Sequence, residues 1–178
     1  MYPAFLVLII ILSYILLRSV SASLLSLIVI FLSILPSMGS AGWLEYQVLP
    51  PLIIAPIIIL TIALAHAIHI LSIALSNMNE GMQKDKAIIE SMKINFMPVF
   101  LTSFTTAVGV AGVNFGNIPA FSQMANAVVF GAAYSFVLSV TVLPALFMMM
   151  PIKLMVRIIL FCLPCMHWAI LFLDLNIM

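Results

Sequence analysis

Two histidines lie three residues apart inside a long apolar segment, where an ionisable side chain is costly. His66 and His69 belong to the apolar run 52–75, and about 20 apolar residues suffice to cross the hydrocarbon core of a bilayer. A charged side chain at that depth costs roughly 2.5–3.5 kcal/mol on insertion scales. Because histidine gains and loses its proton near neutral pH, the pair predicts a proton relay. The alternative is that both are neutral imidazoles whose hydrogen bonds only hold helices together.

Polar and small side chains extend from these histidines along two predicted helices. At helical spacing, Ser72 continues the face that carries the histidines. Hydroxyls hydrogen-bond a neighbouring helix and glycines allow close approach, so we predict that the third and fourth spans pack along a polar seam. One arc of the fourth span, about a third of its circumference, carries the hydroxyl and glycine residues: Thr102, Thr105, Thr106, Gly109 and Gly112.

A metal site is the other chemistry that His-x-x-His spacing allows. Two histidines provide two ligands, whereas a stable zinc site needs three or four. The remaining ligand types are Cys162, Cys165 and His167, which lie in the apolar tail and so in a different predicted helix. We therefore expect no metal and no cofactor. The sequence also has no phosphate-binding loop, no Gly-x-Ser-x-Gly motif and no paired carboxylates, so we expect no enzymatic activity.

The composition is that of an integral membrane protein. Of the 178 residues, 66% are hydrophobic and 6% are charged, with a mean hydropathy of +1.36, whereas soluble domains carry about 25% charged residues. A net charge of +1 without a basic cluster gives no indication of a nucleic-acid partner. The first residues lack a positive n-region and a small-residue cleavage site, so they predict a membrane span and not a signal peptide. Membrane lipids are the expected surroundings.

We predict an all-α fold, a polytopic transmembrane helix bundle of five to six spans. One helix block occupies residues 1–151, and the apolar tail 152–178 contains the possible sixth span. The polar stretch 77–95 predicts a short amphipathic connector helix on the cytoplasmic membrane surface. The five spans of the block are predicted at 2–17, 21–44, 52–75, 95–113 and 121–150.

Basic residues predict the orientation of these spans. By the positive-inside rule, the end that carries them is cytoplasmic. Met1 would then lie on the opposite side, as expected of a chain that lacks an upstream part. All six lysine and arginine residues fall at the same end of the alternating spans: Arg18, Lys84, Lys86, Lys93, Lys153 and Arg157.

Several motifs resemble those of the resistance–nodulation–division (RND) exporters. The segments are PIIILTIALAHAIHILS, the connector KDKAIIES, MPVFLTSFTTAVGVAGVNF and SVTVLPALFMMMP. The resemblance covers about residues 1–151 and is strongest to the hydrophobe-exporter branch with its MMPL-type permeases. Sterol-sensing-domain proteins are more distant relatives. The resemblance implies the second to sixth helices of one repeat half, in a proton-driven exporter that moves hydrophobic or lipid-like compounds across or out of the inner (plasma) membrane.

Departures from the family pattern shape the functional hypothesis. The family usually has an acidic residue three positions before His69, where this chain has His66 followed by Ala67. The resemblance therefore implies that His66 replaces a carboxylate as the protonatable group. A complete transporter also has two such halves, so a second half, supplied by another chain or by dimerisation, is an expected partner. The alternative is a non-transporting membrane module or a degenerate fragment of such an exporter.

Overall fold

The fold is a bundle of antiparallel α-helices, seen in a computed structural model that describes residues 2–17, 19–47, 49–116 and 118–150. No strand occurs among these residues, and the predicted all-α fold is confirmed. The tail 152–178 lies outside the described residues, as does the proposed sixth span. In chain order the helices are α1 (Tyr2–Leu17), α2 (Val20–Trp43), α3 (Pro50–Asn79), α4 (Lys84–Ala111), a short 3-10 helix (Gly112–Phe115) and α5 (Pro119–Met149).

The long helices α2 to α5 match the requirements of a bilayer. Each is apolar and long enough to cross a membrane, while α1 contributes a shorter apolar stretch at Leu6–Leu17. A helix of 30 residues, such as α3, is about 45 Å long. Proline begins both α3 and α5, at Pro50 and Pro119, where its missing N–H has no intrahelical partner to lose.

The polar stretch 77–95 does not form a separate connector helix. Instead α3 continues to Asn79 and α4 begins at Lys84, so the charged residues occupy the first turns of a spanning helix. The break falls at Gly81, whose φ of 90° is a left-handed conformation that glycine adopts without strain. Pro98 lies inside α4 without ending it. Ala87 and Ile88 of the predicted connector are buried and Asp85 and Lys93 are exposed, but the helix that carries them is continuous with the fourth span.

Lys84 joins the start of α4 to the end of α5. Its Nζ donates hydrogen bonds to the backbone carbonyls of Met148, at 2.9 Å, and Met150, at 2.6 Å. The ammonium group also lies 5.6 Å from the ring centroid of Phe147. Cations stabilise the carbonyl end of a helix because they complement its dipole and its unpaired acceptors.

The end of the bundle that carries Lys84 is the end that the basic residues predict to be cytoplasmic. Leu17, Leu75 and Phe147 share one buried cluster, which places the ends of α1, α3 and α5 together there. Lys84 and Lys86 begin α4 at this end, and Lys93 follows two turns later. Arg18, Lys153 and Arg157, the other basic residues of the orientation argument, lie outside the described residues.

α5 is the central helix, and it packs against α2, α3 and α4. Gly131 allows α5 to approach α3 closely, because a Cβ atom at this position would overlap the side chain of Ile59. Ile59 is fully buried. The glycine on which close helix packing depends is thus on α5 and not on α4.

Gly131→Leu should destabilise the bundle because the new side chain collides with Ile59. Overpacking of this kind costs about 1–3 kcal/mol. Gly39→Leu is the matched control, since Gly39 is exposed on α2 and a Cβ there meets nothing within 4 Å, and its effect should stay within about 0.5 kcal/mol, as for other surface changes. Unfolding of the purified protein in detergent measures both. Equal stability of the two variants would contradict the close approach of α3 and α5.

Single cysteines should report the orientation. Gln83 and Gly116 are exposed and lie at opposite ends of α4 and the 3-10 helix that follows it. With Cys162 and Cys165 replaced by serine, Gly116→Cys should react with an impermeant thiol reagent added outside intact cells. Gln83→Cys should react only after the membrane is opened. Labelling of both from outside would refute the cytoplasmic assignment of the Lys84 end.

Candidate functional site

His66 lies near the middle of α3 with its side chain inside the bundle. Only 2% of its surface is exposed. The neighbouring turns of α3 present small or apolar buried residues, including Ala63, Ala67 and Ile70. Ala67 and Ile70 belong to a buried cluster that also contains Val99 of α4 and Leu143 of α5, and both of those helices supply polar side chains at the depth of the imidazole ring.

Both ring nitrogens of His66 face hydroxyl groups from neighbouring helices. Nε2 lies 3.2 Å from Ser103 Oγ and 3.4 Å from Thr102 Oγ1, both on α4. Nδ1 lies 3.4 Å from Ser135 Oγ on α5. The imidazole therefore links three helices, and a polar group in a bilayer needs such partners because no lipid can replace them.

The hydroxyls can accommodate His66 with one proton or with two. Ser103 Oγ also donates to the carbonyl of Val99, at 2.9 Å, and Ser135 Oγ donates to that of Ala132, at 3.1 Å. Both oxygens then accept from the ring, as an imidazolium with two N–H donors requires. For a neutral ring, one hydroxyl rotates and donates to the unprotonated nitrogen. The site can thus hydrogen-bond both protonation states without moving a helix.

His69 and Ser72 lie outside this site. Both side chains are exposed, and Ser72 Oγ donates to the backbone carbonyl of His69 at 3.2 Å and makes no bond to His66. Three residues correspond to about 300° around a helix, so His69 is displaced by about 60° from His66. Because the buried arc of α3 continues through Ile70, that displacement turns His69 and Ser72 outward.

The expected seam between α3 and α4 is formed by different residues. Among the predicted ones, Thr102 contacts His66 and Thr106 is half-buried, but Thr105, Gly109 and Gly112 are exposed. A Cβ atom at either glycine would meet nothing within 4 Å, so neither glycine lies at a close contact between the helices described here. The buried arc of α4 follows another set of positions, spaced mostly four residues apart: Ala87, Ile88, Ser91, Asn95, Val99 and Ser103.

Ser103 and Ser135 complete the site, and the sequence analysis missed both. A signal for them was present. Ser91, Asn95 and Ser103 repeat at multiples of four residues along α4, and Ser135 and Ser139 are four residues apart on α5. Polar side chains on one face of an apolar helix indicate a face that packs inside a bundle.

The family model of the MMPL family matches residues 2–154, which include α1 to α5 and every residue of the site. The chain belongs to the MMPL family. Among curated proteins and among solved structures, none matches it. Family membership confirms the resemblance read from the motifs and makes this a multi-pass membrane protein related to RND-type exporters.

In this MMPL-family protein, the described acidic residues all lie away from His66. Glu45 and Glu80 are in turns, and Asp85 and Glu90 are in the first turns of α4. Within the described ranges, no three His, Cys, Asp or Glu side chains are grouped as metal ligands. Cys162, Cys165 and His167 lie outside those ranges. The partners that the structure gives to His66 are therefore hydroxyl groups.

Part of the polar surface of α3 and α4 remains uncovered by the rest of the bundle. We call this surface the α3–α4 flank. Thr102 connects it with the buried site, because Thr102 is exposed and its hydroxyl also contacts His66. Such a surface is unusual for a helix in contact with lipid, where polar side chains normally face protein or a water-filled cavity. The flank consists of His69, Ser72, Thr102, Thr105, Gly109 and Gly112.

Proposed function

We propose that this chain is the transmembrane portion of a proton-driven RND-type exporter, in which His66 carries the proton. The exporter moves hydrophobic or lipid-like compounds across or out of the inner membrane. The observation that carries the proposal is the burial of His66 between hydroxyls on both ring nitrogens. An ionisable residue held at such a depth with partners for two protonation states suits a relay.

Protonation of His66 changes the hydrogen-bond donors and acceptors that its ring presents to α4 and α5. The neutral ring requires a hydroxyl donor at one nitrogen, whereas the cation requires acceptors at both. Ser103 on α4 and Ser135 on α5 meet these demands by rotation, so the hydrogen bonds between three helices depend on the proton. A carboxylate relay alternates between a negative and a neutral form, but His66 alternates between neutral and positive forms. This reversal of charge makes an acidic partner favourable.

The α3–α4 flank is where we place the second half of the transporter. A second helix block on this surface would cover His69, Thr102 and Thr105, which otherwise expose polar groups to lipid. Gly109 and Gly112 would let its backbone approach closely. Thr102 lies between this surface and Nε2 of His66. A carboxylate of the second block that bonded the Thr102 hydroxyl would therefore lie close to the ring and would stabilise the imidazolium.

An apolar pocket supports the hydrophobic class of substrate. It has a volume of about 290 Å³ and lies between the end of α2 and the start of α3, at the end of the bundle opposite Lys84. Met38, Leu52, Pro56 and Tyr46 are among the residues that line it, and the Tyr46 hydroxyl accepts a hydrogen bond from Asn126 Nδ2 at 3.4 Å. Pockets with apolar walls and few polar groups suit hydrophobic ligands.

Export should depend on a protonatable side chain at position 66. Cells that produce the chain, alone and with its second half, are loaded with the hydrophobic dye Nile red, and proton-driven efflux is followed by fluorescence with and without a protonophore. We expect His66→Leu to reduce efflux to that of cells without the protein. His66→Asp should preserve or raise efflux because a carboxylate can take the same role, and His69→Leu should do less harm because His69 is exposed.

The variants must be compared at equal amounts of protein in the membrane. Unchanged efflux in His66→Leu cells would show that the histidine only holds helices together. A protonophore-insensitive efflux would refute proton coupling whatever the variants do.

If the second half is another copy of this chain, cysteines on the α3–α4 flank should cross-link two copies. With Cys162 and Cys165 replaced by serine, Thr105→Cys should give a disulfide-linked dimer in membranes under mild oxidation. Leu35→Cys is the control, because Leu35 lies on α2 away from the flank and is 68% exposed. Dimers at both positions would indicate random collision. A dimer at neither position would exclude pairing of two copies through the flank.

A further inference from the structure

Ser139 is a buried hydroxyl that the site described so far does not use. It lies on α5 with no exposed surface, one helical turn from Ser135. Its Oγ has no hydrogen-bond partner in the part of the chain that the structure describes. Ser135 differs, because it bonds both its own helix and His66. A buried hydroxyl without a partner costs about 1–3 kcal/mol, so such groups are normally satisfied by ordered water.

The register of α4 against α5 places Asn95 at the depth of Ser139. At the cytoplasmic end, Lys84 bonds the carbonyls of Met148 and Met150. Further in, the Phe136 ring lies 5.9 Å from that of Phe96 and 5.6 Å from that of Phe100. The two helices are antiparallel, so α4 residues that precede Phe96 and Phe100 lie at the same depth as α5 residues that follow Phe136. Asn95 and Ser139 therefore share a level below His66.

Asn95 belongs to a polar line that continues toward the cytoplasmic end. Its Nδ2 donates to the carbonyl of Ser91 at 3.0 Å and to Ser91 Oγ at 3.3 Å. Ser91 Oγ donates in turn to the carbonyl of Ile70 at 2.6 Å. One turn nearer the end, Asn77 Nδ2 lies 3.5 Å from the carbonyl of Ala87. Asn95 and Ser91 are both buried, so this line runs inside the bundle.

Neither helix alone provides a continuous polar line to His66. On α4, the buried Val99 separates Asn95 from Ser103. On α5, the buried Leu143 lies on the cytoplasmic side of Ser139. The two partial lines are complementary, because α4 supplies polar groups where α5 has Leu143, and α5 supplies Ser139 and Ser135 where α4 has Val99.

We propose that Asn95 and Ser139 position water that connects His66 with the cytoplasmic end of the bundle. Residues four apart on a helix have Cβ atoms about 5–6 Å apart, a span that one water bridges with two hydrogen bonds of about 2.8 Å. One water bonded to Ser139 reaches Ser135, and the amide of Asn95 provides a second partner for it. This inference rests on the proposed role of His66 in proton movement.

Proton transfer along this route conserves every atom. A proton that arrives from the α3–α4 flank, past Thr102, forms a bond to Nε2 of the neutral ring and gives the imidazolium. The Nδ1–H bond then breaks as its proton binds Ser135 Oγ, whose own O–H proton passes to the water and on toward the cytoplasmic end. The ring is left as its Nε2–H tautomer, and its return to the Nδ1–H tautomer, with rotation of the Ser135 hydroxyl, completes the cycle. Each nitrogen thus serves a different route, and Asn95 and Ser139 are positioning residues because they act through water.

Contact between water and His66 can be measured without transport. In the full chain with His69→Gln and His167→Gln, His66 is the only histidine. With ¹⁵N-histidine in lipid vesicles, solid-state NMR gives the rate at which water magnetisation reaches its ring. Ser139→Thr and Ser139→Val have nearly the same volume but differ by a hydroxyl. We expect the rate to be kept in Ser139→Thr and to fall severalfold in Ser139→Val and in Asn95→Leu, which tests the route from the other helix.

The outcomes separate this inference from the proposed function. Equal rates in Ser139→Thr and Ser139→Val, or no transfer in the parent protein, would overturn the hydrated route. Nile red efflux in chains that retain His69 and His167 should be lost in Ser139→Val and kept in Ser139→Thr, and unchanged efflux in Ser139→Val would also overturn it. If the NMR rate depends on Ser139 while His66→Leu exports normally, the hydrated route stands and the relay function fails.

Discussion

The hydrogen bonding of one buried imidazole is the constraint on which this bundle depends. In a bilayer, a polar group that leaves its protein partners cannot replace them with lipid. His66 therefore requires hydroxyls at both nitrogens, and it obtains them from Ser103 on α4 and Ser135 on α5. That requirement fixes the rotation of three helices about their axes, since each must present a particular residue at the same depth.

The other strong interactions hold these helices at the depth that His66 needs. Gly131 lets α5 approach Ile59 on α3, and Lys84 joins the start of α4 to the last carbonyls of α5. The first contact sets a distance between helices and the second sets their register along the axis. Together they bring Ser103 and Ser135 to the level of His66. A change at either contact should therefore disturb the site without touching it.

The bundle is polar on the inside, at the level of His66, and also on one outer surface. Within the bundle, Ser91, Asn95 and Ser139 extend the polar interior toward the end that carries Lys84. On the α3–α4 flank, the exposed Thr102 reaches the same imidazole from outside. In the proposed relay, His66 lies between an interior polar line and an exposed polar surface, so protons can arrive by one route and leave by the other. Its charged form would be positive, whereas that of a carboxylate relay is negative.

The sequence by itself determined the class of the molecule and the importance of His66. Long apolar runs allow only spanning helices, and the cost of an ionisable group within one made His66 conspicuous. Only the tertiary structure decided which neighbours it has. Thr102 and Ser103 are adjacent in sequence but about 100° apart on α4, so the burial of Ser103 and the exposure of Gly109 depend on how that helix is rotated. Rotation follows from packing against α3 and α5, which periodicity in one helix does not specify. For the same reason Ser135 was missed, since its partner lies 69 residues away in the chain.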